Sequence, residues 1–132
     1  MEIFTFDRAE RVVGRFGSVG TRATRVAAGD GGAVSLTCLT LAPGGTIGAH
    51  RAPVPQLFLV VAGDGWVAGA DGRRTPVTAG TGVRWDADET HASGSEAGLT
   101  ALALEGAGLR VFPPDPPDPP DPPGSGDGGR LV

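Results

Sequence analysis

The chain has 132 residues, enough for one domain around a single core, and a formal net charge of −4, which argues against a nucleic-acid partner. All eleven basic residues are arginine, and lysine, asparagine and tyrosine are absent; this looks like coding bias, so arginine in place of lysine carries little functional meaning. A lone Cys38 excludes an internal disulfide framework and fits a reducing compartment. No apolar run approaches the ~18 residues of a membrane span, and the N-terminus lacks a secretory apolar region, so a cytoplasmic protein without a membrane partner is expected.

The predicted elements are short and extended. Ile3 to Phe6 is a short piece set apart by a polar stretch; it could add a strand to a partner's sheet, which favours a homodimer. Thr21 to Ala27 alternates arginine and threonine with small apolar residues. Ala33 to Leu41 alternates cleanly, with Val34, Leu36 and Cys38 on one face and Ser35, Thr37, Leu39 and Leu41 on the other. The Cys38 face is expected to be the inward one, as a buried structural thiol. Pro43-Gly44-Gly45 makes a tight turn. Leu57 to Ala62 is a continuous apolar run, as a strand covered on both faces would be. Gly63-Asp64-Gly65 is expected to turn it into a separate strand, Trp66 to Gly69.

Asp71-Gly72 is a two-residue hairpin signal leading to Arg73 to Val77. Gly82 to Trp85, His91 to Gly94 and Leu99 to Glu105 complete the series. About nine or ten short strands with almost no helix mean an all-β sandwich or barrel. Residues 113–132 read PPDPPDPPDPPGSGDGGRLV and form a separate zone after the domain of residues 1–112. Repeated proline implies polyproline II reaching roughly 34 Å. Aspartate at every third position, without an aromatic or basic anchor, reads as a solvated disordered tail rather than a docking peptide.

The histidines carry the functional signal. Gly44 is followed six positions later by His50, then Gln56 six further on, then Gly63; Gly80 is followed eleven positions later by His91. This order resembles the two conserved motifs of the cupin superfamily. The first runs glycine, five residues, His-x-His, three or four residues, glutamate, six residues, glycine. The resemblance spans roughly residues 33–105. It implies a jelly-roll barrel, the double-stranded β-helix, in which four side chains from both motifs converge on one metal.

Several positions depart from that pattern. Ala52 stands where the second histidine belongs, Gln56 replaces the glutamate, Asp86 and Asp88 replace a proline and a glycine, and Ser95 replaces an asparagine. If the remaining set binds a divalent ion (Fe, Mn, Zn, Ni or Cu), the ligands are His50, Gln56 and His91, with no formal negative charge among them. The alternative is a pocket in which both imidazoles hydrogen-bond a small molecule. Phe58, Trp66 and Trp85 are expected in the core or pocket wall, with Phe58 and Trp85 beside the histidines, and Arg51 and Arg84 pointing away. The expected partner is a small-molecule ligand or substrate, held by a metal-free or weakly metal-binding pocket; the competing expectation is a metal-dependent enzyme of dioxygenase or isomerase type.

Overall fold

Glycine and proline cut the chain into apolar and β-branched runs too short for helices, and those runs pair as strands. The computed structural model describes residues 1–7 and 11–112; the Pro/Asp-rich segment 113–132 lies outside the described residues. Twelve strands follow one another: β1 (Glu2–Thr5), β2 (Arg11–Val13), β3 (Thr21–Ala23), β4 (Ala27–Ala28), β5 (Ser35–Leu41), β6 (Thr46–His50), β7 (Gln56–Ala68), β8 (Arg74–Thr78), β9 (Thr81–Trp85), β10 (His91–Gly94), β11 (Leu99–Glu105) and β12 (Arg110–Val111). Among the described residues the one helical element is a 3₁₀ turn at Arg15–Gly17, and no helix is long and apolar enough to cross a membrane.

The architecture turns on β7. Its first half pairs with β9 and β11, and its second half pairs with β8 and β10. One strand therefore belongs to two antiparallel sheets, β1-β9-β7-β11-β5 and β8-β7-β10-β6. The expected turn at Gly63-Asp64-Gly65 is instead a bend inside a 13-residue strand. Gly63 makes the bend possible. It has φ +80°, and a Cβ there would lie 2.2 Å from the Gly98 carbonyl oxygen. The true reversal comes later, at Asp71-Gly72, where the Arg73 amide donates to the Asp71 carboxylate at 2.9 Å.

The two sheets enclose a core of Leu41, Phe58, Val60, Val83, Trp85, Leu99 and Ala101 from one and Val67 and Val77 from the other. Leu57, on the opposite face of β7 from Phe58, is also fully buried, so both faces are covered there as the apolar run suggested. Burying Phe58, Trp85 and the core valines contributes about 1.5–3 kcal/mol for each side chain.

Three expectations about orientation are corrected. Cys38 is exposed, because register pairs Thr37, Leu39 and Leu41 with Ala103, Ala101 and Leu99, and it is this face that meets the core. Leu36, on the Cys38 face, is 63% exposed. Trp66 does not join the core cluster. It pairs with Gly94, whose missing side chain leaves room for the indole, and the Arg74 guanidinium lies 3.8 Å from its ring centre. Finally, β1 pairs along β9 of its own chain, from Glu2 opposite Arg84 to Thr5 opposite Thr81.

Candidate functional site

Directly paired residues in an antiparallel sheet project to the same face. Glu105, Gln56 and Trp85 therefore form one row across β11, β7 and β9, and Ala103, Phe58 and Val83 form the next. From the other sheet, His91 pairs with His50 across β10 and β6, and Ser93 with Ile47. Between them lies a cavity of about 250 Å³, the volume that roughly eight waters occupy in the liquid. His50, Gln56, Phe58, Trp85 and His91 all line it. Arg51 is exposed, and Arg84 lies outside the cavity, paired with Asp86.

The histidines present matching chemistry. His91 is 3% exposed, and its Nδ1 lies 2.9 Å from the Glu89 carbonyl oxygen. His50, at the exposed mouth, has Nδ1 2.7 Å from the Gly48 carbonyl oxygen. A carbonyl can only accept, which assigns the proton to Nδ1 in both rings and leaves both Nε2 atoms with a lone pair. The ring centres are 4.3 Å apart. His91 also stacks on Trp85 at 4.3 Å and 18°, and Trp85 meets Phe58 at 5.7 Å. The Nε2 of His91 and the Nε1–H of Trp85 are buried without a hydrogen-bond partner among the described residues.

Burial holds the His91 imidazole below its ordinary pKa of 6.5, and nearby His50 adds to this; the Glu89 carbonyl and the Glu89 and Glu105 carboxylates pull the other way. His91 is therefore neutral at neutral pH. Burial pushes the Glu89 carboxyl up, but hydrogen bonds from the Met1 amino group and the Asp86 amide outweigh it, leaving a net shift below 4.5. Glu89 meets His91 through its backbone carbonyl.

Glu105 was missed. Its Oε1 accepts from Gln56 Nε2 at 3.0 Å, which orients the amide and leaves the Gln56 carbonyl oxygen as an acceptor. A carboxylate thus stands one strand away from the position where the motif has lost one. The period-two alternation of Ala101, Ala103 and Glu105 was the available signal, but the larger Leu102 and Leu104 made the other face look like the interior. Ser95 is structural: 2% exposed, its hydroxyl donates to the Asp64 carbonyl at 2.6 Å and accepts from the Gly98 amide at 2.8 Å.

As a metal site this set is incomplete. Two neutral imidazoles and an amide oxygen offset none of a divalent ion's charge, and Ala52 offers no donor. Among the described residues no three His, Cys, Asp or Glu side chains are grouped to hold one ion. The residues present do not fit a tightly held divalent cation.

Residues 38–104 match the family described as the cupin domain. A comparison with curated proteins gives no match. Among solved structures, an RmlC-like cupin from Shewanella frigidimarina superposes with a TM-score of 0.53 at 18% identity, over 56% of this chain and 66% of that one. A conserved protein with a double-stranded β-helix domain from Klebsiella pneumoniae gives 0.52 at 16%, over 74% and 90%. A conserved protein of unknown function from Streptococcus pyogenes gives 0.51 at 19%, over 63% and 67%. This chain spans between 60% and 67% of the length of several such relatives. At these identities the likeness is one of fold, the double-stranded β-helix. The family match over half of its length shows that the chain belongs to the cupin superfamily.

Proposed function

We propose that this cupin binds a small molecule in its barrel, in a pocket that works without a metal or with a weakly held one. The observation that carries the reading is the cavity lined by His91, whose buried Nε2 has no hydrogen-bond partner among the described residues. Leaving a buried acceptor without a partner costs about 1–3 kcal/mol, and a ligand's N–H or O–H group relieves that cost. The test is a thermal-shift screen of metabolites in the presence of a chelator. A compound that raises the melting temperature of the native protein but not of His50→Ala or His91→Ala supports the pocket; stabilisation that persists unchanged in both variants contradicts it.

A second reading has its own support. Both rings carry Nδ1–H and lie 4.3 Å apart, which leaves two Nε2 lone pairs free to coordinate. In that case His50, Gln56 and His91 would hold a divalent ion that supplies Lewis acidity to a dioxygenase or isomerase. Metal content per chain, measured on protein purified without a nickel column, decides this reading. Equal content in the native protein and the His50→Ala/His91→Ala variant removes it.

The wider setting belongs to the same proposal. In this reading the binding domain is residues 1–112. The exposed thiol of Cys38 suits a reducing cytoplasm. The outer strands β5 and β6, which pair on one side only, leave edges that a homodimer would cover.

A further inference from the structure

Hydrogen-bonding capacity in the cavity wall runs mostly one way. His50 and His91 each direct Nδ1–H to a backbone carbonyl and so present a bare Nε2. Gln56 gives one of its two amide hydrogens to Glu105 and keeps its carbonyl oxygen. The Glu105 carboxylate has about four acceptor directions, of which Gln56 takes one. The hydroxyls of Thr37 and Ser93 can serve either role, and the obligate donors are the indole N–H of Trp85 and the second amide hydrogen of Gln56. Among the described residues no arginine lines the cavity. A carboxylate or phosphate ligand would meet the Glu105 charge and imidazole lone pairs with no cation to offset them.

Resting on the pocket reading above, we infer that the ligand is a small organic ammonium compound, and that Glu105 sets this charge preference. An ammonium group has three donors and no acceptor, the complement of this wall. Phe58, Leu39 and Ile47 give the compound's apolar body a surface.

The protein supplies its own reporter. It has two tryptophans. Trp85 lines the cavity, while Trp66 pairs with Gly94 under the Arg74 guanidinium, so one indole N–H signal in a ¹⁵N–¹H spectrum reports occupancy and the other is an internal control. Three probes of nearly equal size and shape are titrated near neutral pH with a chelator present: benzylamine, benzamide and benzoate. Benzylamine is expected to move the Trp85 signal at roughly tenfold lower concentration than benzamide, as a hydrogen bond to a charged group implies. Benzoate should leave it in place.

Glu105→Gln, which keeps the shape and removes the charge, should abolish the preference for benzylamine while retaining benzamide binding. If benzoate binds as well as benzylamine, or if Glu105→Gln keeps the preference, the inference is overturned and the pocket stands. If none of the three moves the Trp85 signal up to about 10 mM, the pocket reading and the inference fall together. The order of the three probes on the native protein is decisive by itself should the variant not fold.

Discussion

Acidification puts a proton where the structure has least room for one. Nδ1 of His91 already carries hydrogen to the Glu89 carbonyl, so the incoming proton must go to the buried Nε2, beside the Trp85 stack and the His50 ring. Glu89 and Glu105 face the imidazole and favour its charged form, but burial is the largest influence and the net shift is downward from 6.5. The sign follows from linkage. Above about pH 6.5 the ring is neutral in both folded and unfolded chains, and the full stability is present. As pH falls below that, the unfolded chain takes up the proton first, so stability is lost until the folded pKa is passed.

Within that window the loss approaches about 1.4 kcal/mol for each pH unit. Urea unfolding followed by tryptophan fluorescence, at steps from about pH 8 to 5, measures it, with His91→Gln as the comparison. Native-state Trp85 fluorescence should also be quenched with a midpoint below 6.5, because the imidazolium forms against its ring face. The Glu89 contribution is distinct. Its lowered carboxyl pKa gives stability that is present above 4.5 and lost only as pH falls below it. Stability that stays level between about pH 6.5 and 5, or an equal slope in His91→Gln, would refute the account of His91.

Two glycines with similar backbone angles should behave differently. Gly63→Ala places a Cβ 2.2 Å from the Gly98 carbonyl oxygen, whereas Gly72→Ala, at φ +72°, meets nothing within 4 Å. Gly72→Ala should cost about 1–2 kcal/mol from conformation alone, and Gly63→Ala more than about 3 kcal/mol, both measured by urea unfolding. Restoring the motif with Ala52→His and Gln56→Glu together should raise zinc affinity by roughly a hundredfold or more, read by calorimetry. Unchanged affinity would mean that these positions do not converge with His50 and His91.

Much of the architecture was legible because strand alternation and turn chemistry are local. The β5, β9, β10 and β11 segments could be placed to within a residue or two, as could the Asp71-Gly72 reversal, because each is a short apolar or β-branched run bounded by glycine, proline or aspartate. The meeting of His50 with His91 was readable because the spacing of glycines and histidines repeats the family pattern, and the rings do lie 4.3 Å apart.

The choice between the two faces of a strand could only be made in three dimensions. Alternation divides β5 and β11 into two sets of side chains, but pairing register decides which set turns inward. A cavity also reverses the usual clue. Ala101, Ala103 and Thr37 leave space inside, while the larger Leu102, Leu104 and Leu36 lie on the other face, so side-chain size points the wrong way. Glu105 stayed hidden for that reason, and Cys38 was placed inward by the same error. The run of β7 through Gly63 and Asp64 was likewise settled by long-range pairing with β11 and β8, which no local stretch of residues encodes.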